Sequence, residues 1–102
     1  MPTERTTSIL IVDDDEQIQR ATKSILVTRQ YLVLQATGGQ QALELIAEQS
    51  PDLVILDLML PDVSGLDVCR EARGWYAGPI LVLSARGHDR DKIQALDMGA
   101  DD

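Results

Sequence analysis

Ile9-Leu10-Ile11-Val12-Asp13-Asp14-Asp15 is the stretch from which the rest of the chain can be read. Four aliphatic residues in a row suit a short strand buried on both faces, as in a parallel sheet covered by helices. Three carboxylates follow without a break. A few ångströms apart in a partly dry site, such groups repel by about 4 kcal/mol per pair. They must therefore be protonated, separated or bridged by a cation.

Working outward, Leu53–Leu56 and Ile80–Leu83 repeat the uninterrupted aliphatic pattern. Tyr31–Ala36 is more mixed, which suits an edge strand. Helical patterns lie between these runs. Ile18, Ala21, Ile25 and Leu26 recur at helical spacing and predict an inward face. Ala42, Leu43, Ile46 and Ala47 do so after Gly38-Gly39. Ser64 reads as the N-cap of a third helix carrying Leu66, Cys69 and Ala72, with Gly74 at its end. Asp89 reads as the cap of a fourth, with Ile93, Leu96 and Ala100 inward. Pro51 and Pro79 each precede a strand, where proline is tolerated. Residues 1–7 read as frayed. The order βαβαβαβα predicts an α/β fold, a parallel sheet with helices on both faces, in one domain over residues 1–102.

Composition agrees with one ordinary globular domain: 102 residues, 44% hydrophobic and 25% charged. There is no Phe, so the core must be aliphatic. A net charge of −8 disfavours nucleic acid and acidic membrane surfaces and favours cations and basic protein surfaces. The lone Cys69 cannot form an internal disulfide. No apolar run reaches the length of a membrane span, and no signal-peptide pattern opens the chain. The reading is a cytoplasmic protein with no membrane partner.

Ligands of open α/β sheets bind outside the carboxyl ends of the strands. Asp13 and Asp14 follow the first strand, Asp57 ends the third, and Ser84 follows the fourth. If the first and third strands are neighbours, the three acids converge on one crevice. A hard cation then resolves their repulsion, and Mg²⁺ suits an oxygen-only site. A plainer alternative stays open. Asp15 and Glu16, with Asp14, could simply cap and charge the first helix.

These residues resemble the receiver domain of bacterial two-component response regulators. The matching segments are Ile9–Asp15, Pro51–Gly65, Pro79–Arg86 and Ala95–Asp102. The resemblance implies a flavodoxin-like (CheY-like) doubly wound parallel sheet of order 2-1-3-4. It implies that Asp57 accepts a phosphoryl group from a sensor histidine kinase, and that Asp14 holds Mg²⁺ directly while Asp13 does so mainly through water. The backbone carbonyl of Met59 matches a further metal ligand, and Ser84 matches the switch hydroxyl. Pro61 and Gly65 match the loop after the phosphorylation site. Such a domain assists its own phosphorylation but is not a turnover enzyme, and it controls transcription through a downstream DNA-binding domain. Ser84–Arg86 and Asp91–Asp102 look most like the winged-helix (OmpR/PhoB-type) subfamily and, within it, regulators of Kdp-type potassium transport.

The family pattern runs on past Asp102 into a fifth strand, a Lys-Pro pair and a fifth helix. The chain is therefore expected to be incomplete at its C-terminus and to lack the family's phosphoryl-contacting lysine. The outer edge of the fourth strand would be unpaired, which invites self-association. Two rivals remain: a pseudo-receiver that binds partners without taking phosphate, and a Mg²⁺-dependent phosphotransferase or phosphatase using the same Asp57. His88 and Lys23 read as solvated, Cys69 as core packing and Gly38-Gly39 as turn chemistry. Arg86 reads either as solvated or, as the resemblance implies, as a position that tunes phosphoryl lifetime. Trp75 and Tyr76 read as packing for the loop before the fourth strand.

Overall fold

The computed structural model describes residues 6–84, with side chains through Leu83, and the backbone of residues 94–96. Strands β1 (Ser8–Val12), β2 (Leu32–Ala36), β3 (Leu53–Asp57) and β4 (Ile80–Ser84) alternate with helices α1 (Glu16–Thr28), α2 (Gly39–Gln49) and α3 (Gly65–Ala72). The parallel strands stand in the order 2-1-3-4. Each aliphatic run is a strand, and β2 is the edge strand that its mixed sequence predicts.

A fifth strand, β5 (Gln94–Leu96), pairs antiparallel with β4, setting Val82 against Leu96 and Ser84 against Gln94. This corrects two expectations. Residues 94–96 are extended, not part of a fourth helix, and the edge of β4 is not unpaired. The physical reason is that β4 presents unmet backbone donors and acceptors, which a nearby extended segment can satisfy. The rest of the predicted fourth helix lies outside the described residues.

The main core lies between the sheet and the α2–α3 layer. Leu10, Val12, Val54, Leu56, Ile80 and Val82 point to that side, where Ala42, Ile46, Val68, Cys69 and Ala72 meet them. The opposite face is less covered. β1 is buried on both sides, but in β3 buried Val54 and Leu56 alternate with half-buried Leu53 and Ile55. Of the described helices, α2 and α3 pack together, whereas α1 lies along β1 and β2. Double burial thus holds for β1 but only partly for β3.

Helix α1 also departs from its pattern. Ile18 is 47% and Ile25 58% exposed, and Ala21 is exposed, while Gln19 is buried and Thr22 and Leu26 are half-buried. The helix is rotated because Gln19 has strong partners inward, described below. At the far end of the sheet, Tyr76 is buried and its hydroxyl donates to the Pro51 carbonyl at 2.6 Å. Arg73 donates to the Tyr76 and Gly78 carbonyls at 2.6 Å each. Tyr76 therefore packs this loop as expected, whereas Trp75 is half exposed. No described helix is long and apolar enough to cross a membrane.

Candidate functional site

β1 and β3 run side by side with Val12 level with Leu56. The next residue of each, Asp13 and Asp57, therefore brings a carboxylate to the same end of the sheet. With Asp14 they form a cluster whose carboxylate oxygens lie within 4.8 Å of one another. Asp13 and Asp57 are half-buried and Asp14 is exposed. Burial pushes the Asp57 carboxyl above its ordinary value, and the Asp13 charge, then Asp14, push it further. Burial also raises Asp13; the Asp15 N–H bonded to it opposes the rise, while Asp14 and Asp15 add repulsion.

The acidic triplet divides its labour. Asp15 is the N-cap of α1, accepting from the Gln17 and Ile18 N–H groups at 2.9 and 3.2 Å. The capping alternative is right for Asp15, and Glu16 adds charge to the first turn. Asp13 and Asp14 are left to face Asp57. The Met59 N–H reaches Asp57 Oδ1 at 3.4 Å, so the loop after β3 turns back over that carboxylate. Asp57 pairs with Leu83 in the ladder, which brings the backbone of Ser84 to the same end. The Ser84 side chain, Arg86 and His88 lie outside the described residues. Oxygen donors converging in a crevice can hold a hard cation, and Asp57 offers a carboxylate oxygen as a nucleophile beside it.

The response regulator receiver domain profile matches residues 9–102. The chain belongs to the receiver family of response regulators. It is 53% identical over 96 residues to the transcriptional regulatory protein KdpE of Mycobacterium tuberculosis (strain ATCC 25618 / H37Rv), a match covering 94% of this chain and 42% of that protein. To the KDP operon transcriptional regulatory protein KdpE of Escherichia coli (strain K12) it is 46% identical over 96 residues, 94% and 43% of the two chains. The chain thus spans less than half the length of these relatives. Its fold matches the BeF3-activated receiver domain of Klebsiella pneumoniae RstA with a TM-score of 0.75 at 36% identity, covering 81% of this chain and 71% of that one.

Two residues of the receiver escaped the sequence reading. Gln19 is buried, and its amide nitrogen donates to the Ile11, Asp13 and Ala36 carbonyls at 3.1, 3.0 and 2.8 Å. Its oxygen accepts from Gln35 Nε2 at 2.9 Å. Gln19 thereby fastens the carboxyl ends of β1 and β2 to α1, at the base of the acidic cluster. Nothing in the helical periodicity marks it, because periodicity assigns a polar residue to the surface. The second is Asp62, whose carboxylate accepts from the Gly39 and Gln40 N–H groups at the start of α2. The signal was present: Gly38 caps α2 without a side chain, so the helix needed an acceptor from elsewhere.

The glycines do more than turn the chain. Gly38, extended with φ −151°, sits in the bend that leads into α2 and is the N-cap of that helix. A Cβ on Gly39 would collide with Val63 and press on Val68. Gly65 likewise leaves room for the Asp57 backbone, with its N–H on the Leu58 carbonyl at 2.9 Å. Both glycines are there for close approach.

Proposed function

We propose that this receiver takes a phosphoryl group on Asp57 from a phosphohistidine of a sensor histidine kinase, and that the aspartyl phosphate switches a KdpE-like transcriptional regulator. The supporting observation is the convergence of Asp13, Asp14 and Asp57 at one end of the sheet. An Asp57 carboxylate oxygen attacks phosphorus. The new O–P bond forms as the donor's N–P bond breaks, and the leaving imidazole takes up a proton.

The donor set fits Mg²⁺: it offers only oxygens, and the burial that raises Asp13 and Asp57 is what a cation would offset. Asp14 and Asp57 would hold it directly, Asp13 mainly through water, with the Met59 carbonyl as a further ligand. When bound it supplies positive charge that offsets repulsion between the nucleophile and the phosphoryl oxygens. The phosphoryl group adds about −1.5 to −2 charges. The Ser84 hydroxyl turns towards it and biases the surface around β4. Exposed Ile18 and Ile25, on the helix that leaves the acidic cluster, offer apolar area to a protein partner. In the whole protein a DNA-binding domain carries the output, in the cytoplasm.

The test is intact mass after incubation with Mg²⁺ and a small acyl phosphate. Wild type should gain one phosphoryl group. Asp57→Asn, or wild type with chelator, should gain none. A folded wild type that gains nothing, or an Asn variant that still gains, would sink the proposal.

A further inference from the structure

The loop from Leu58 to Ser64 starts at the proposed nucleophile and carries Met59. Its first turn is tied by the Met59 N–H to Asp57, and its exit by the Gly65 N–H to Leu58. Sideways it is tied by Asp62. That carboxylate spans the start of α2, accepting from the Gly39 N–H at 2.8 Å on Oδ1 and from the Gln40 N–H at 3.0 Å on Oδ2. Oδ1 also takes the Val63 N–H at 2.9 Å. Backbone N–H donors, Gly39 first, hold this exposed acid below its ordinary value. The missing Cβ of Gly39 lets Val63 close against the same turn. The contact therefore has two parts, a charged cap and a steric fit, both between α2 and the loop beyond Asp57.

We propose that Asp62 is a positioning residue for the Asp57 site. By capping α2 from the loop, it fixes where Met59 and its carbonyl stand relative to the three acids. This deepens the phosphoacceptor reading and rests on it. Asp62 touches neither metal nor phosphoryl group; it acts through the loop. A helix cap alone would stabilise α2 and leave cation binding unchanged. A positioning residue changes both.

The experiment measures Mg²⁺ affinity by calorimetry and backbone amide exchange in wild type, Asp62→Asn, Asp62→Ala and Asp52→Asn. Asp52 bonds to Ser8 at the opposite end of β3, so its variant controls for general loss of stability. Asp62→Ala should bind Mg²⁺ about tenfold more weakly, the scale of losses from outer-shell changes at metal sites. Its amides should exchange faster at Gly39 and Gln40 and also from Met59 to Val63. Asp62→Asn keeps one acceptor and should fall between, while Asp52→Asn should bind as wild type does. Faster exchange at Gly39 and Gln40 with Mg²⁺ affinity unchanged would reduce Asp62 to a helix cap and overturn the inference. Equal weakening in Asp52→Asn would overturn it too. A wild type that binds no Mg²⁺ would remove the phosphoacceptor reading itself, and this inference with it.

Discussion

The two ends of β3 each carry an aspartate, and the fold treats them in opposite ways. At the amino end Asp52 accepts from the Ser8 N–H at 2.7 Å and the Ser8 hydroxyl at 3.3 Å, and returns its own N–H to the Ser8 carbonyl at 2.8 Å. At the carboxyl end Asp57 has a long bond from Met59 at 3.4 Å and faces two more carboxylates. One end spends its acid on joining β1 to β3. The other gathers like charge that opposes folding. On the proposed reading, the carboxyl end keeps its acids against their own stability because a cation and a phosphoryl group use them.

The contrast can be tested by supplying what the carboxyl end lacks. On the proposed reading, Mg²⁺ at a hundredfold excess over its dissociation constant should raise the unfolding free energy by about 2.7 kcal/mol. Urea unfolding with Mg²⁺, beside NaCl of equal ionic strength, measures it. A shift no larger than that of NaCl would break the contrast, since the cluster would then be only crowded charge. The next effect comes from the scaffold under the cluster. Gln19→Ala leaves the Ile11, Asp13 and Ala36 carbonyls without their shared donor and should cost about 2 kcal/mol. A loss near zero in the same urea series would mean that water replaces the amide, and that α1 is held by other contacts.

The parallel sheet was legible because uninterrupted aliphatic runs have few other uses. The acidic cluster was legible because strand ends in such a sheet share one rim, so residues distant in sequence could be assigned to one place. What stayed hidden depended on partners that periodicity does not carry. Ile18 and Ile25 follow a helical repeat, yet they face outward because Gln19 finds three carbonyls inward. Asp62 looks like a solvated loop acid until α2 is seen to lack a cap of its own. Residues 94–96 carry apolar spacing that reads as helix, and the unmet edge of β4 outweighs that local preference.

The smallest effect separates the two ends most cleanly, because it uses the same substitution on each. Asp52→Asn weakens a bonded carboxylate and should cost about 1 kcal/mol at neutral pH. Asp57→Asn, without divalent cation, should instead stabilise. The sign follows from proton linkage. The native state holds the Asp57 proton more tightly than the unfolded chain does, since burial and Asp13 raise its value above 3.8. Its contribution is therefore fully present below the unfolded value and is lost as pH rises through the native one. Asn cannot undergo that loss, so the variant's advantage over wild type should grow from about pH 4 towards neutrality. Asp62 runs the other way: its bonds lower the native value, so its contribution is present above 3.8 and fades as pH falls through that lowered value. Urea unfolding carried from well below pH 3.8 up to neutrality reads both trends, Asp62 below that value and Asp57 above it. If Asp57→Asn were the less stable protein at neutral pH, the carboxylate would be satisfied by donors after all, and the two ends of β3 would be alike.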